Sequence, residues 1–157
     1  IRKLNLGKKH FEINNLKGNF INAWIDLPIK KEVFFDCDGL SPAKKITIDQ
    51  IIESNKLAFV DIIHSDIQGS EYNMLLGCKN SLAQHKIGYF FISTHGVNVN
   101  KKTIHQACIE FLKQYKFRII ASHTPAESFS DDGLIVAQSP TLNPIPSIKI
   151  SKFQPIK

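Results

Sequence analysis

Hydrophobic residues in this chain form two unbroken runs with a helical pattern between them. The runs AFVDIIHSD and GYFFIST begin at residues 58 and 88, and uninterrupted apolar segments of this length are typical of strands buried on both faces of a parallel sheet. Residues 70–84 repeat apolar side chains at helical spacing. We therefore predict that 58–65 and 88–94 are adjacent central strands joined by a right-handed crossover helix.

Weaker patterns predict further elements on the N-terminal side. Residues 2–16 have helical periodicity, NFINAWIDL alternates like a strand, and EVFFDCD is a second short strand. A loop, GLSPAKK, then leads into ITIDQIIES, in which Asp49 is expected to cap a short helix.

On the C-terminal side, residues 102–116 are predicted to form an amphipathic helix. The strands FRIIASH and GLIVAQS follow, and we expect an antiparallel hairpin with Asp131, Asp132 and Gly133 in its turn. The order of all elements predicts an α/β fold with a mostly parallel sheet and a C-terminal antiparallel hairpin. Residues 1–138 would form this domain, and residues 139–157, rich in proline and serine, an extended or poorly ordered tail.

Charge and cysteine content narrow the possible partners. The net charge is +6, but there are only two arginines, and no alternation of aromatic and basic residues indicates a nucleic-acid site. A solvated basic face is the simpler interpretation, and an anionic partner is the alternative. Cys37, Cys78 and Cys108 form no metal or redox pair by spacing, and Cys78 and Cys108 are expected in the core. With no signal peptide or membrane span in the pattern, we expect a cytoplasmic protein without a membrane or nucleic-acid partner.

Polar residues crowd the carboxyl end of the first buried run. They are His64, Ser65, Asp66, Gln68, Ser70 and Glu71. Ligands of parallel α/β sheets bind at such strand ends, but the same side chains also suit helix capping. Asp66 either caps the next helix or orients a ligand, and Glu71 either complements the helix dipole or takes part in acceptor binding or base chemistry.

His95 follows the neighbouring buried run. Because parallel neighbours bring their carboxyl ends together, we expect Asp66 and His95 to lie within one water of each other, with His64 facing the same side. A nearby carboxylate would raise the pKa of the histidine. A divalent cation held by Asp66, Glu71 and a histidine is a minor alternative, because the spacing is no recognised metal motif, and we expect no metal.

VDIIHSDIQGSEYNMLLG, residues 60–77, resembles the central signature of FkbM-type methyltransferases. That signature is a hydrophobic strand, Lys-Ile-Asp-Val-Glu-Gly-Ala-Glu, and a helix with Leu-x-Gly. The matching residues are Asp66, Gly69, Glu71, Leu76 and Gly77. ITIDQII resembles the Thr-Leu-Asp-Asp-Leu segment that precedes the signature, and the similarity extends over roughly residues 1–138.

Some positions depart from the family pattern. His64, Ser65 and Gln68 replace its lysine, isoleucine and first glutamate, and Ser93 stands where a glutamate often precedes His95. The glycine-rich loop and the ribose-binding acid of the family would precede Ile1. The chain therefore resembles the C-terminal two-thirds of such a domain, with the N-terminal cofactor-binding strands missing.

The resemblance implies a Rossmann-like fold and S-adenosyl-L-methionine as the cofactor. It implies Asp66, Glu71 and His95 as catalytic residues, and Asp26, Ser65 and Asp66 as cofactor-binding residues, although Asp26 also suits a simple turn. The implied reaction is O-methylation of a hydroxyl on a sugar or another small metabolite. The alternative is a non-catalytic methyltransferase-like module that serves binding or assembly, with Gln68 and Ser93 marking a decayed site.

Two further expectations follow from the resemblance. Without the glycine-rich loop, this chain alone would bind S-adenosylmethionine weakly or not at all. The sheet would also keep an open edge, through which the chain would self-associate unless its own N-terminal helix or tail covered that edge.

Overall fold

The computed structural model describes residues 2–27, 35–36, 42–96 and 102–153. The helices are α1 (Arg2–Ile13), α2 (Ile48–Ser54), α3 (Glu71–Leu76), α4 (Lys79–Ala83) and α5 (Ile104–Gln114). The strands are β1 (Ala23–Ile25), β2 (Phe35–Asp36), β3 (Pro42–Ile46), β4 (Val60–Ser65), β5 (Ile87–Thr94), β6 (Arg118–His123) and β7 (Gly133–Gln138). A single 3₁₀ turn, Pro125–Glu127, lies between β6 and β7.

The strands form two sheets, and the larger one has the order β4-β5-β7-β6. In it β4 and β5 are parallel, whereas β7 lies antiparallel to both β5 and β6. The smaller sheet has β3 in the middle, parallel to β1 and antiparallel to β2. The predicted α/β class, with parallel strands and a C-terminal antiparallel hairpin, is confirmed.

The prediction that both apolar runs are central strands is wrong for β4. It pairs with β5 as expected, but no other described strand pairs with its second edge. Ile62 is 56% exposed there, and Asp61 and His64 are exposed as well. An unbroken apolar run therefore marks a strand that could be buried on both faces, but the presence of a covering layer depends on the rest of the fold.

The core lies between the larger sheet and helices α3, α4 and α5. Its fully buried side chains include Leu75, Leu82, Phe90, Leu112 and Ile135. Cys78 and Cys108 are buried in the same cluster, as predicted, and burial raises the pKa of the Cys108 thiol to about 12. Cys37 lies outside the described residues. No helix in the described parts of the chain is long and apolar enough to cross a membrane.

The predicted helix over residues 70–84 is two helices, because the chain turns at Gly77 and Cys78. A Cβ atom at Gly77 would lie 3.1 Å from the Thr47 Cβ, so the absence of a side chain at Gly77 lets the residue before α2 pack closely against this turn. Helical periodicity continues across the break, which is why the sequence pattern did not reveal it.

Two local predictions around α2 are also wrong. Thr47, not Asp49, caps α2, since its hydroxyl accepts the Gln50 N–H while the Gln50 side chain accepts the Thr47 N–H. Asp49 instead accepts the backbone N–H groups of Asn80 and Ser81, both at 2.9 Å, at the start of α4. Part of the predicted loop at 39–45 is strand β3, which begins at Pro42.

Candidate functional site

The turn between β4 and α3 folds around the carboxylate of Glu71. Gln68 and Gly69 adopt positive φ angles of 52° and 99°, and this reversal directs backbone N–H groups inward. Both Glu71 oxygens accept the Gly69 N–H at 3.1 Å, and Oε1 also accepts the Ile67 N–H at 3.3 Å. Glu71 is completely buried. Its position in the first helical turn is therefore secondary to its role as the acceptor that organises this turn.

His95, directly after β5, contacts the carboxylates of Glu71, Asp66 and Asp132. These four residues are called the His95 cluster. The Nδ1 of His95 lies 2.9 Å from Glu71 Oε1, and its Nε2 lies 3.3 Å from Asp66 Oδ1 and 3.0 Å from Asp132 Oδ1. The His95 side chain is 12% exposed, whereas that of Asp66 is 53% exposed. The predicted approach of Asp66 and His95 is confirmed as a direct contact. The cap interpretation of Asp66 is wrong, because Ser70 occupies the N-cap position of α3.

These three carboxylates control the proton affinity of His95. Burial of the ring lowers its pKa, but the hydrogen bond and charge of Glu71 and the charges of Asp132 and Asp66 raise it, and the pKa lies above its ordinary value. With Nδ1 turned to the buried Glu71, Nε2 is the ring atom directed toward the partly exposed carboxylates. The cluster can therefore exchange a proton at Nε2 while Glu71 fixes the orientation of the ring.

Asp132 is the site residue that the sequence reasoning missed, because it was assigned to a hairpin turn. The pairing of β5 with β7 explains its position. Thr94 pairs with Gly133 in the antiparallel register, so the next residue along β5 and the preceding residue of β7, His95 and Asp132, meet one step beyond the ladder. Knowledge of the sheet order would have predicted this contact, but the sequence pattern does not give that order.

The other predicted site residues are arranged differently. Ser65 is buried, and its hydroxyl has no hydrogen-bond partner in the described structure. The Asp26 carboxylate, whose pKa is lowered by its Lys45 partner in spite of burial, contacts Lys45 and accepts the Leu27 N–H at 2.7 Å and the Asn73 amide at 3.1 Å. His64 is exposed, and none of the contacts of His95 in the described chain involve it. The functional roles of Ser65 and Asp26 stay predictions.

A second histidine, which is buried, lies next to the His95 cluster. His105, near the start of α5, has Nδ1 3.0 Å from Thr94 Oγ1 and Nε2 3.1 Å from Ser122 Oγ. Burial and the nearby His123 lower its pKa, although Glu127 opposes this shift. Its partners are hydroxyls on two strands, so it links α5 to β5 and β6.

No group of His, Cys, Asp and Glu side chains within the described ranges has a geometry suited to a metal ion. Among the residues predicted to hold a cofactor, Ser65 offers an uncommitted buried hydroxyl and Asp66 a half-exposed carboxylate at the same strand end. An orphaned buried hydroxyl is unusual in a folded protein, and it fits a polar ligand group at the end of β4.

Comparison with known protein families gives one match. The model described as the methyltransferase FkbM domain matches residues 39–119, a range that contains β3, β4, β5, α5 and three of the four residues of the His95 cluster. No curated protein matches the chain, and no solved structure does.

Proposed function

The chain belongs to the FkbM methyltransferase family, and on that basis we propose that the cluster around His95 serves S-adenosylmethionine-dependent methyl transfer to a hydroxyl group. The observation that carries the proposal is the orientation of His95. A buried carboxylate fixes Nδ1, and Nε2 is directed toward two partly exposed carboxylates, Asp66 after β4 and Asp132 directly before β7. A histidine held in this way suits proton removal from an acceptor.

The residues of the His95 cluster are proposed to have different roles in methyl transfer. Bound S-adenosylmethionine supplies a methyl group already activated for transfer, so the protein needs mainly to align the acceptor. In the neutral form that carries its proton on Nδ1, against Glu71, His95 takes the hydroxyl proton at Nε2 as the oxygen gains its methyl group. Asp66 accepts a hydrogen bond from a second hydroxyl of the acceptor. Glu71, without solvent contact, acts through His95 as a positioning residue.

Ser65, Asp66 and Asp26 are the proposed cofactor-binding residues. The buried hydroxyl of Ser65 and the accessible carboxylate of Asp66 support the first two assignments. Asp26 has less capacity for a ligand, because Lys45, Asn73 and the Leu27 N–H already occupy its oxygens. The acceptor is proposed to be a sugar or another small hydroxylated metabolite, since carboxylate, imidazole and amide groups together suit hydrogen bonding to hydroxyls.

A test of cofactor binding uses the amide NMR spectrum of the chain during titration with S-adenosylhomocysteine, which detects even millimolar binding. We expect shift changes at Ser65, Asp66 and Ile67 that weaken in Ser65→Ala, with Ser54→Ala, on the exposed end of α2, as the matched control. Saturating ligand without any shift change near β4 would contradict the cofactor assignment.

The catalytic part is tested by methyl transfer from labelled S-adenosylmethionine to a panel of sugars and small alcohols. We expect a loss of about 100-fold or more in turnover for His95→Gln and a smaller loss for Asp66→Asn. His10→Gln on α1 is the matched control and should keep full turnover. Equal turnover in His95→Gln and the wild type would contradict the role of His95.

The non-catalytic module remains the second candidate, and one observation favours it. Asp66 and Asp132 both occupy His95 Nε2 directly, and Gln68 donates its amide to Asp66 at 3.0 Å, so the cluster is satisfied by its own members. Binding of S-adenosylhomocysteine at Ser65 without transfer to any acceptor would favour this module over the enzyme.

A further inference from the structure

The segment after β7 does not leave the domain but runs back beside β6 toward the β6–β7 loop. Residues 139–153, here called the strap, cover a cluster on the sheet face opposite the main core. Ile145 and Ile150 pack against Ile120, Ala121 and Val136. The strap is also bound to β6 by hydrogen bonds, because the Ile148 N–H donates to the Ile120 carbonyl at 2.7 Å and Arg118 Nη2 donates to the Ile145 carbonyl at 3.0 Å.

The end of the strap holds the loop between β6 and β7. Lys152 Nζ lies 2.8 Å from Glu127 Oε1, and the Phe153 N–H donates to the Glu127 carbonyl at 2.8 Å. The rings of Phe129 and Phe153 meet edge to face with centroids 5.2 Å apart. Three contacts of different kinds therefore join the strap to this loop.

The same loop delivers Asp132 to His95. Asp131 has a positive φ of 60°, so the loop ends in a reversal that any non-glycine residue adopts only at some conformational cost. Asp132 then contacts His95 Nε2 at 3.0 Å. A continuous path of contacts runs from the strap through Glu127 and the loop to the candidate site.

We propose that Asp132 is a positioning residue for His95, and that the strap sets its position by holding the β6–β7 loop. The proposal rests on the contacts of the described residues and does not require methyl transfer. In the absence of the strap contacts, the loop would be free to withdraw Asp132, and His95 would keep only Glu71 and Asp66 as charged partners.

The proton affinity of His95 reports this coupling without any substrate. In the described chain the charged groups facing His95 are Glu71 from α3, Asp66 from the β4–α3 turn and Asp132 from the β6–β7 loop. Each of them favours the imidazolium and raises the pKa of His95. Withdrawal of Asp132 removes one of these charges, and we expect it to lower that pKa.

In the variant Lys152→Met, the change of charge alone would raise the pKa of His95, whereas withdrawal of Asp132 would lower it. Lys152→Met removes a cation, and loss of a positive charge by itself favours the imidazolium and raises the pKa of a histidine. A fall in the pKa of His95 in Lys152→Met can then arise only through movement of the loop. Phe153→Pro tests the same contact without any change of charge, because it removes the N–H donor and the aromatic ring together.

The experiment is an NMR titration of the His95 ring protons in the whole chain, with the signal assigned by its absence in His95→Gln. We expect Asp132→Asn to lower the pKa of His95 and Asp132→Glu to restore most of the wild-type value. Lys152→Met and Phe153→Pro should each lower it by less than Asp132→Asn. Lys152→Arg should retain the wild-type pKa.

Lys149→Met is the matched control, because Lys149 is an exposed strap lysine that has no ion pair among the described residues. It should leave the pKa of His95 unchanged or slightly raised. An unchanged pKa in Asp132→Asn would overturn the positioning role. A fall in Asp132→Asn together with no fall in Lys152→Met and Phe153→Pro would overturn the role of the strap. A chain that shows the coupling but transfers no methyl group would contradict only the proposed function.

Discussion

Two histidines lie at the end of β5, the partly buried His95 directly after Thr94 and the buried His105 against the Thr94 hydroxyl, and they have opposite environments. Carboxylates surround His95, and its pKa is raised, whereas the hydroxyls of Thr94 and Ser122 bind the two ring nitrogens of His105, and its pKa is lowered. Desolvation opposes the charged form of both rings. The chemistry of the partners therefore decides the direction in which each pKa moves from its ordinary value.

The difference assigns separate tasks to the two rings. His105 is 3% exposed and uses both nitrogens to join three elements, so it suits a structural role. His95 uses one nitrogen for the buried Glu71 and presents the other to groups that water reaches. A protein can thus place two histidines beside one strand end in space and reserve only one of them for proton exchange.

The largest expected effect on stability comes from removal of the Glu71 carboxylate, which contacts His95. Glu71→Ala leaves the Ile67 and Gly69 N–H groups and His95 Nδ1 without their acceptor, and it should lower the free energy of unfolding by about 3 kcal/mol. Urea denaturation measures this loss. Glu53→Ala, at an exposed position of α2, should change stability by less than about 0.5 kcal/mol. A loss under about 1 kcal/mol for Glu71→Ala would contradict its organising role.

Near His105, Gly133→Ala should lower the free energy of unfolding by about 2 kcal/mol. The added Cβ would lie 2.3 Å from Thr94 Oγ1 and 2.7 Å from His105 Nδ1, so the hydroxyl–imidazole contact would have to separate. Denaturation of a double-mutant cycle with Thr94→Ala tests the cause, because removal of the hydroxyl creates space. Additive losses in the double variant would show that the strain lies elsewhere.

The pH dependence of stability should reverse between the two histidines. The raised pKa of His95 gives a contribution that is fully present below its ordinary value of 6.5 and is lost as the pH rises through the folded pKa. The lowered pKa of His105 gives a contribution to stability that is present above the ordinary value of 6.5 and is lost as the pH falls through the folded pKa.

Unfolding free energies at about pH 5 and about pH 8 measure both contributions. Relative to wild type, His95→Gln should lose more stability at the acidic end than at the basic end. His105→Gln should show the reverse, with the larger loss at the basic end. The same direction of change in both variants would contradict the contrast between the two environments.

The smallest expected effect on stability lies away from both histidines, at the edge of β4 that no described strand pairs with. Ile62→Lys should change the free energy of unfolding by less than about 0.5 kcal/mol, because the side chain is already largely in water. We propose that the chain self-associates through this edge, so the variant should reduce the mass measured by light scattering. Ile148→Lys, on the strap and similarly exposed, is the control. A wild type that is monomeric at all concentrations would contradict the proposal.

Local sequence patterns predicted the elements around the site and one of its central contacts. The apolar runs identified β4 and β5, and the rule that parallel strands share their carboxyl edge predicted the contact of Asp66 with His95. Both inferences depend on segments that are close in sequence or joined by one crossover. Information of this kind is present in the chain itself.

What the patterns did not reveal depends on long-range pairing. Asp132 reaches His95 because β7 inserts between β5 and β6, and nothing in residues 118–138 distinguishes that order from a simple outer hairpin. The burial of Glu71 depends on the chain reversal at Gln68 and Gly69. A glutamine in the sequence does not predict the positive φ angle that this reversal requires. His105 was assigned only to an amphipathic helix, since its hydroxyl partners come from two different strands.

The register of β7 against β5 has a consequence for insertions and deletions. Residues gained or lost in the β6–β7 loop would leave the pairing of β5 with β7 in place, but they would alter the loop that the strap holds at Glu127 and Phe129. A residue gained or lost inside β7 would instead shift every later side chain to the opposite face and break the match between Ile135, Ala137 and the core. Length variation among related chains should therefore be rarer between residues 133 and 138 than in the loop before them.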